Sequence, residues 1–134
     1  MKNARHDAVI VKSVEELLIY QKSITAADAI SALLQRPAFR KDWELSKQLR
    51  AASGRIPPLI AEGFSQSTDR HFAQYLYRAR GSAHEVQAHL RVAHGRAYLS
   101  GTELSEHCSR YEEIAKMLSG LIKHLRTCDR KERG

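Results

Sequence analysis

What the chain lacks excludes most enzyme chemistry. Its 134 residues hold no Gly-x-Ser-x-Gly elbow, no glycine-rich phosphate loop and no dinucleotide fingerprint. Seven histidines invite a metal reading, but His84 and His89 are five residues apart. On a helix, five steps turn the second ring ~140° away from the first. His89 and His94 fail in the same way. The di-iron pattern Glu-x-x-His is also missing, since Glu85 is followed three residues on by Ala88, and Glu103 by Glu106. The expectation is no metal and no cofactor, with the histidines at the surface or satisfied.

Other scarcities bound the fold. Three prolines, seven glycines and no β-branched runs predict a mostly helical chain. No apolar run approaches the ~20 residues of a membrane span. Met1 to Lys12 is short and charged, without the apolar centre of a signal peptide, so a cytoplasmic home is expected. The two cysteines, Cys108 and Cys128, fall in one predicted helix, ~30 Å apart at ~1.5 Å per residue. They cannot bridge, so reduced structural thiols are expected. There is no internal repeat and no low-complexity segment.

What the chain has is helical patterning and positive charge. A length of 134 residues suits one domain with one core. Four stretches carry apolar residues at alternating steps of three and four. Ser13 with Glu16 forms a capping box. The first predicted helix follows over 14–36, with Leu17, Tyr20, Ile24, Ala27, Ser31 and Leu34 inward. Pro37 ends it, and 37–41 reads as a short basic connection. The second helix, over 42–62, buries Leu45, Leu49, Ala52, Ile56, Leu59 and Gly63. Gly63 also reads as its C-terminal cap. The third, over 69–98, runs from Phe72 through Leu76, Ala79, Ala83, Val86, Leu90 and Ala93 to Ala97. The fourth, over 103–127, uses Leu104, Cys108, Tyr111, Ala115, Leu118, Ile122 and Leu125. Segments 1–12 and 129–134 are expected to be loose. Four such helices with short links predict an all-α, antiparallel up-down-up-down four-helix bundle in a single domain spanning 1–134.

Pro57 and Pro58 interrupt the second helix. Each lacks an N–H, and each ring presses on the carbonyl four residues back, at ~3 kcal/mol per interior proline. The seam keeps its phase across them, which favours one kinked helix bent near Ile56 to Pro58. The alternative is a break, with Pro57 opening a new helix.

The stretch from Gln48 to Gly63 resembles the signature of the 23S rRNA intervening-sequence protein family, the four-helix bundle proteins. Gln48, Leu49, Arg50, Ala52, Ile56, Pro57, Ile60, Ala61, Glu62 and Gly63 match, while Ala51, Arg55 and Leu59 depart from it. Ala79-Arg80-Gly81-Ser82 followed by Glu85 resembles the family's second signature, and Tyr20-Gln21-Lys22 its first-helix segment. The resemblance covers about 17–126. It implies the same bundle, assembly as a homopentamer, and a founding context of insertions within large-subunit ribosomal RNA genes. Relatives of similar fold are accessory proteins to the reverse transcriptases of diversity-generating retroelements, so nucleic acid and a reverse transcriptase are the implied partners. Arg50, Pro57, Glu62, Gly63, Arg80, Gly81 and Glu85 are the motif residues.

Glu62 and Glu85 invite a catalytic reading. The favoured one pairs them with Arg50 or Arg80 to fix helix packing. A mid-helix Gly81 suggests a close helix contact. The net charge of +7 and pI near 9.7 favour an acidic partner. Its excess lies over residues 37–100. Lys116, Lys123 and Arg130 repeat every seven residues along the fourth helix. Arg110 and Arg126 lie nearby in sequence but off that row. The candidate nucleic-acid contacts are Lys47, Arg55, Arg78, Arg91, Arg96, Lys116 and Lys123, with Arg50 and Arg80 reserved for salt bridges. Trp43, Phe64, Tyr75, Tyr77 and Leu99 fall off the seams and suggest an oligomer interface. The expected function is a non-enzymatic, oligomeric, sequence-tolerant nucleic-acid-binding accessory protein. The alternative is an interaction scaffold whose basic surface is incidental.

Overall fold

A computed structural model describes residues 13, 14 and 17–133, with side chains as far as Cys128. Five α-helices follow one another: α1 Leu18–Leu33, α2 Pro37–Lys41, α3 Trp43–Phe64, α4 Asp69–Gly95 and α5 Gly101–Arg133. Four long helices form a ring of neighbours, with α1 against α3 and α5, and α4 between α3 and α5. Cross-helix contacts fix their directions. Arg55 meets Glu85 while Asp42 meets Arg96, so α3 and α4 run antiparallel. Arg80 meets Ser119 while Tyr77 meets Arg126, so α4 and α5 do too. Lys22 meets Glu113 and Arg36 meets Glu103, which sets α1 against α5. The all-α bundle is as expected. Glu16 of the predicted capping box and segment 1–12 lie outside the described residues, whereas 129–133, expected to be loose, continue α5, which runs past its expected end at 127 to Arg133.

The predicted seams of α3, α4 and α5 hold except at Ala97, which is exposed beyond the end of α4. Leu49, Ala52, Ile56, Leu76, Ala79, Ala83, Val86, Leu90, Leu118 and Leu125 are fully enclosed in one apolar core. Each such leucine or isoleucine contributes about 1.5–3 kcal/mol relative to exposure. The seam of α1 is corrected by one register. Ile19, Ser23, Ala26, Ile30 and Leu33 point inward, while Ile24 and Ser31 face out. Ser23 tolerates burial because its hydroxyl donates to the Tyr20 carbonyl at 2.7 Å. The helix also starts later than expected, at Leu18, without a side-chain cap.

Pro57 and Pro58 both lie inside an unbroken α3. The break is therefore overruled. Pro57 is buried, and Ile56, Leu59 and Ile60 around it enter the core, which offsets the lost backbone bonds. Gly63 is likewise inside α3, and no glycine adopts a positive φ among the described residues. Its purpose is close approach rather than capping. A Cβ there would sit 2.9 Å from both Phe72 Cδ1 and Tyr75 Cβ of α4. Gly81 is the reverse. It is exposed and a Cβ would meet open space, so the expected close contact is absent.

Residues 37–41 form a helical turn rather than a plain link, with Pro37 at its start. Phe39 is fully buried, edge-on to Tyr98 at 5.3 Å. Its carbonyl accepts from the Ser46 hydroxyl at 2.6 Å. Leu99 is buried too, against the expectation of a surface residue. α4 ends at Gly95, three residues early, because Ala97 takes the left-handed position at φ 62°. Tyr98 N–H then donates to the Ala93 carbonyl and Ala97 N–H to that of His94, which is the Schellman closure. α5 opens with a reciprocal capping box. Ser100 Oγ accepts from the Glu103 N–H, and Glu103 Oε1 accepts from the Ser100 N–H at 2.8 Å. Arg36 holds the same carboxylate and, with Ser100, lowers its pKa from 4.5 to about 2.

Two predictions concern stability. Gly63→Ala should destabilise by about 1–3 kcal/mol, as overpacking does. Gly81→Ala should be neutral or stabilising by up to about 1 kcal/mol. Denaturant melts that rank the two the other way would overturn both assignments. Acid sensitivity should come in two stages. Burial, followed by the charge of Arg110, lowers the pKa of His107 below 6.5. Its neutral form is the folded one, so its contribution is present above about 6.5 and lost as pH falls. The Glu103 contribution is present above 4.5 and lost as pH falls through about 2. His107→Gln should erase the first decline and Glu103→Gln reduce the second. Stability that rose on acidification would contradict this.

Candidate nucleic-acid interface

Three-four spacing places charge on the facing edges of α4 and α5. On α4, Tyr77, Arg80, His84, Ala88 and Arg91 fall on one face. On α5, Lys116, Ser119, Lys123 and Arg126 do the same. The helices run antiparallel, so the two rows flank one groove. At ~1.5 Å per residue, the α4 row is ~21 Å long. Two adjoining depressions form its floor. One, of ≈ 400 Å³, is lined by Arg80, His84, Glu112, Ala115, Lys116 and Ser119. The other, of ≈ 310 Å³, is lined by Tyr77, Arg80, Ser119, Ile122, Lys123 and Arg126. They share Arg80 and Ser119, and Glu112 is the one acid in either lining.

Two of the guanidinium groups are held by neutral partners. Arg80 donates to Ser119 Oγ at 3.1 Å and lies 5.0 Å from the Tyr77 ring centroid. Arg126 donates to the Tyr77 hydroxyl at 2.8 Å. A neutral acceptor fixes the planar fork without cancelling its charge, so both cations stand ready for an anion. Lys116 and Lys123 are exposed beside them. Arg91 lies at the far end, near enough to Cys108 for its charge to oppose the upward push that burial gives that thiol. The thiol stays protonated and inert.

Of the seven expected contacts, the groove is lined by Lys116 and Lys123, and Arg91 lies beyond it on the same face of α4. Lys47 lies elsewhere, on α3, 5.7 Å from the Trp43 ring centroid. Arg78 stands 5.7 Å from the Tyr75 ring centroid. Two others serve packing. Arg55 donates to Glu85 at 3.1 Å and to Ser82 at 3.3 Å, joining α3 to α4. Arg96 donates to Asp42 Oδ2 at 2.6 Å. Asp42 also accepts from the Tyr98 hydroxyl at 2.8 Å and the Leu45 N–H at 3.2 Å. The Tyr98 bond, then the Leu45 N–H, lower its pKa.

The roles of three arginines are thus exchanged. Glu85 binds Arg55 and His89, not Arg50 or Arg80. Arg80 and Arg126, outside the expected set, belong to the groove. The 3-4-3 spacing from Lys116 to Arg126 was the available signal for Arg126. Glu62 is exposed, two helical turns along α3 from the Arg55 that holds Glu85, so the carboxylates form no pair. Phe64 and Tyr75 pack on the core, leaving Trp43 and Tyr77 as exposed aromatics of the off-seam set. Among the described residues, no three His, Cys, Asp or Glu side chains converge on a metal position. No described helix is long and apolar enough to cross a membrane.

Two comparisons with known proteins gave matches. The model of the family described as 23S rRNA-intervening sequence protein matches residues 15–120. This span covers Arg80, Arg91 and Lys116 but stops before Lys123 and Arg126. A crystal structure of a protein with unknown function from the S23 ribosomal protein family, from Bacteroides thetaiotaomicron VPI-5482, is similar at a TM-score of 0.73. It is 23% identical, over 79% of this chain and 99% of that one, and what it shares is the fold. A comparison with curated proteins returned no match.

Proposed function

The chain belongs to the 23S rRNA-intervening sequence protein family, and we propose that it is a non-enzymatic accessory protein that binds nucleic acid through the α4–α5 groove. One observation carries the reading. Arg80, Lys116, Lys123 and Arg126 line two adjoining depressions in which two cations are fixed by neutral partners, and Arg91 extends the α4 row beyond them. Such a row neutralises phosphates without reading bases. Binding is sequence-tolerant for that reason, and RNA or DNA duplex can serve. Homo-oligomerisation, in five copies as the family resemblance implies, repeats the groove around the assembly. Exposed Leu18, Ile24 and Val92 support a protein interface. A reverse transcriptase is a partner of the implied kind, and a cytoplasmic home fits the reading.

Fluorescence anisotropy with a labelled duplex tests the proposal. Binding at about 50 mM salt should weaken with a log–log slope of about 0.9 per phosphate neutralised. Replacing Arg91, Lys116, Lys123 and Arg126 together by Gln should abolish it with helicity retained. Replacing Lys47 and Arg78 by Gln should leave duplex binding near the parent's. A parent that retains no duplex, or a fourfold variant that binds as well, hands the function to the scaffold reading. Light scattering should return a multiple of 15.2 kDa. A mass of one chain at micromolar concentration would refute assembly.

A further inference from the structure

On the α1 side of α3, away from α4, a second cationic depression of ≈ 330 Å³ is built around an indole. Its lining is Leu34, Phe39, Arg40, Trp43, Ser46, Lys47 and Arg50. It shares no residue with the α4–α5 groove. Trp43 is the first residue of α3 and the most exposed large apolar side chain described, at 63%. The Lys47 ammonium lies 5.7 Å from its ring centroid. Among the described residues, none of Arg40, Lys47 and Arg50 forms an ion pair, and the lining contains no acid. Buried Phe39 and Leu34 lie beneath it, and the Ser46 hydroxyl donates to the Phe39 carbonyl.

We infer that this depression takes an unpaired base of single-stranded nucleic acid. The indole offers a flat face for stacking, and the three cations offer partners for the phosphates on either side of that base. A duplex keeps its bases stacked on each other, so it cannot use the indole. The site therefore adds a preference for single strands that the groove alone does not have. The inference shares with the proposed function only the class of ligand, because a different helix pair carries it.

Trp43 is the one tryptophan in the chain, so its emission reports on this site alone. The intact protein is titrated with oligo(dT) and oligo(U), and separately with a duplex of equal phosphate count. Anisotropy of a label on the nucleic acid follows binding in parallel. Single strands should quench Trp43 emission as they bind, and the duplex should bind without quenching. Trp43→Ala should weaken single-strand binding by roughly tenfold or more, the factor of a base–aromatic stack. It should leave duplex affinity unchanged, and the exposed position makes loss of folding an unneeded explanation, which circular dichroism checks. Trp43→Phe should restore part of the affinity. Single strands that bind without quenching would overturn the inference and leave the groove proposal standing. Quenching that persists in the groove variant would support the inference while duplex loss is scored separately. Free protein whose Trp43 is already shielded from acrylamide would also overturn it, because a second copy then covers the indole.

Discussion

The packing of α4 on α5 is the constraint on which the rest of the molecule depends. Ala79, Ala83 and Ala93 on α4, with Ala115 on α5, are all buried, and small residues let two backbones approach closely. This approach brings the row Arg80, His84, Arg91 beside the row Lys116, Lys123, Arg126. The Arg80–Ser119 and Arg126–Tyr77 hydrogen bonds then cross the seam. A larger side chain at Ala79 or Ala83 would widen the groove and part both bonds. The charge is useful because the core beneath it is tight.

The other helices hold that pair in register from two ends. Near the α3–α4 turn, Gly63 admits Phe72 and Tyr75 at a distance no Cβ permits. At the opposite end, Asp42 gathers Arg96, Tyr98 and the start of α3, while Glu103 gathers Arg36 and the start of α5. Each bond at this end is solvent-accessible and weak alone. Together they close a turn whose Ala97 already sits in a left-handed conformation, and they satisfy helix ends that would otherwise be bare. Arg55 and Arg96 are basic residues consumed by architecture.

Helix content and three of the four seams were legible in the sequence, because α3, α4 and α5 each offer a single unbroken row of apolar residues. α1 offers two. Leu17, Tyr20, Ile24 and Ala27 compete with Ile19, Ser23, Ala26, Ile30 and Leu33. The second wins because it buries Ile30 and Leu33, and its one serine bonds within its own helix. Gly81 could not be told from Gly63 by residue type, since only the neighbouring helix decides whether a Cβ has room. The charged residues were the least legible. Spacing along one helix defines a row, but whether an arginine faces an acid depends on the register of its neighbour. That register gives Arg55 to Glu85 and Arg96 to Asp42, and leaves Arg80 to Ser119.

Lysine footprinting of the full chain with and without duplex tests the central claim most directly. Acetylation labels each exposed amine, and peptide mass spectrometry reads protection residue by residue. Duplex should protect Lys116 and Lys123 on α5, while Lys22 on α1 and Lys41 on α2 stay reactive. Equal reactivity of Lys116 and Lys123 with bound and absent duplex, or protection confined to Lys22 and Lys41, would contradict the account.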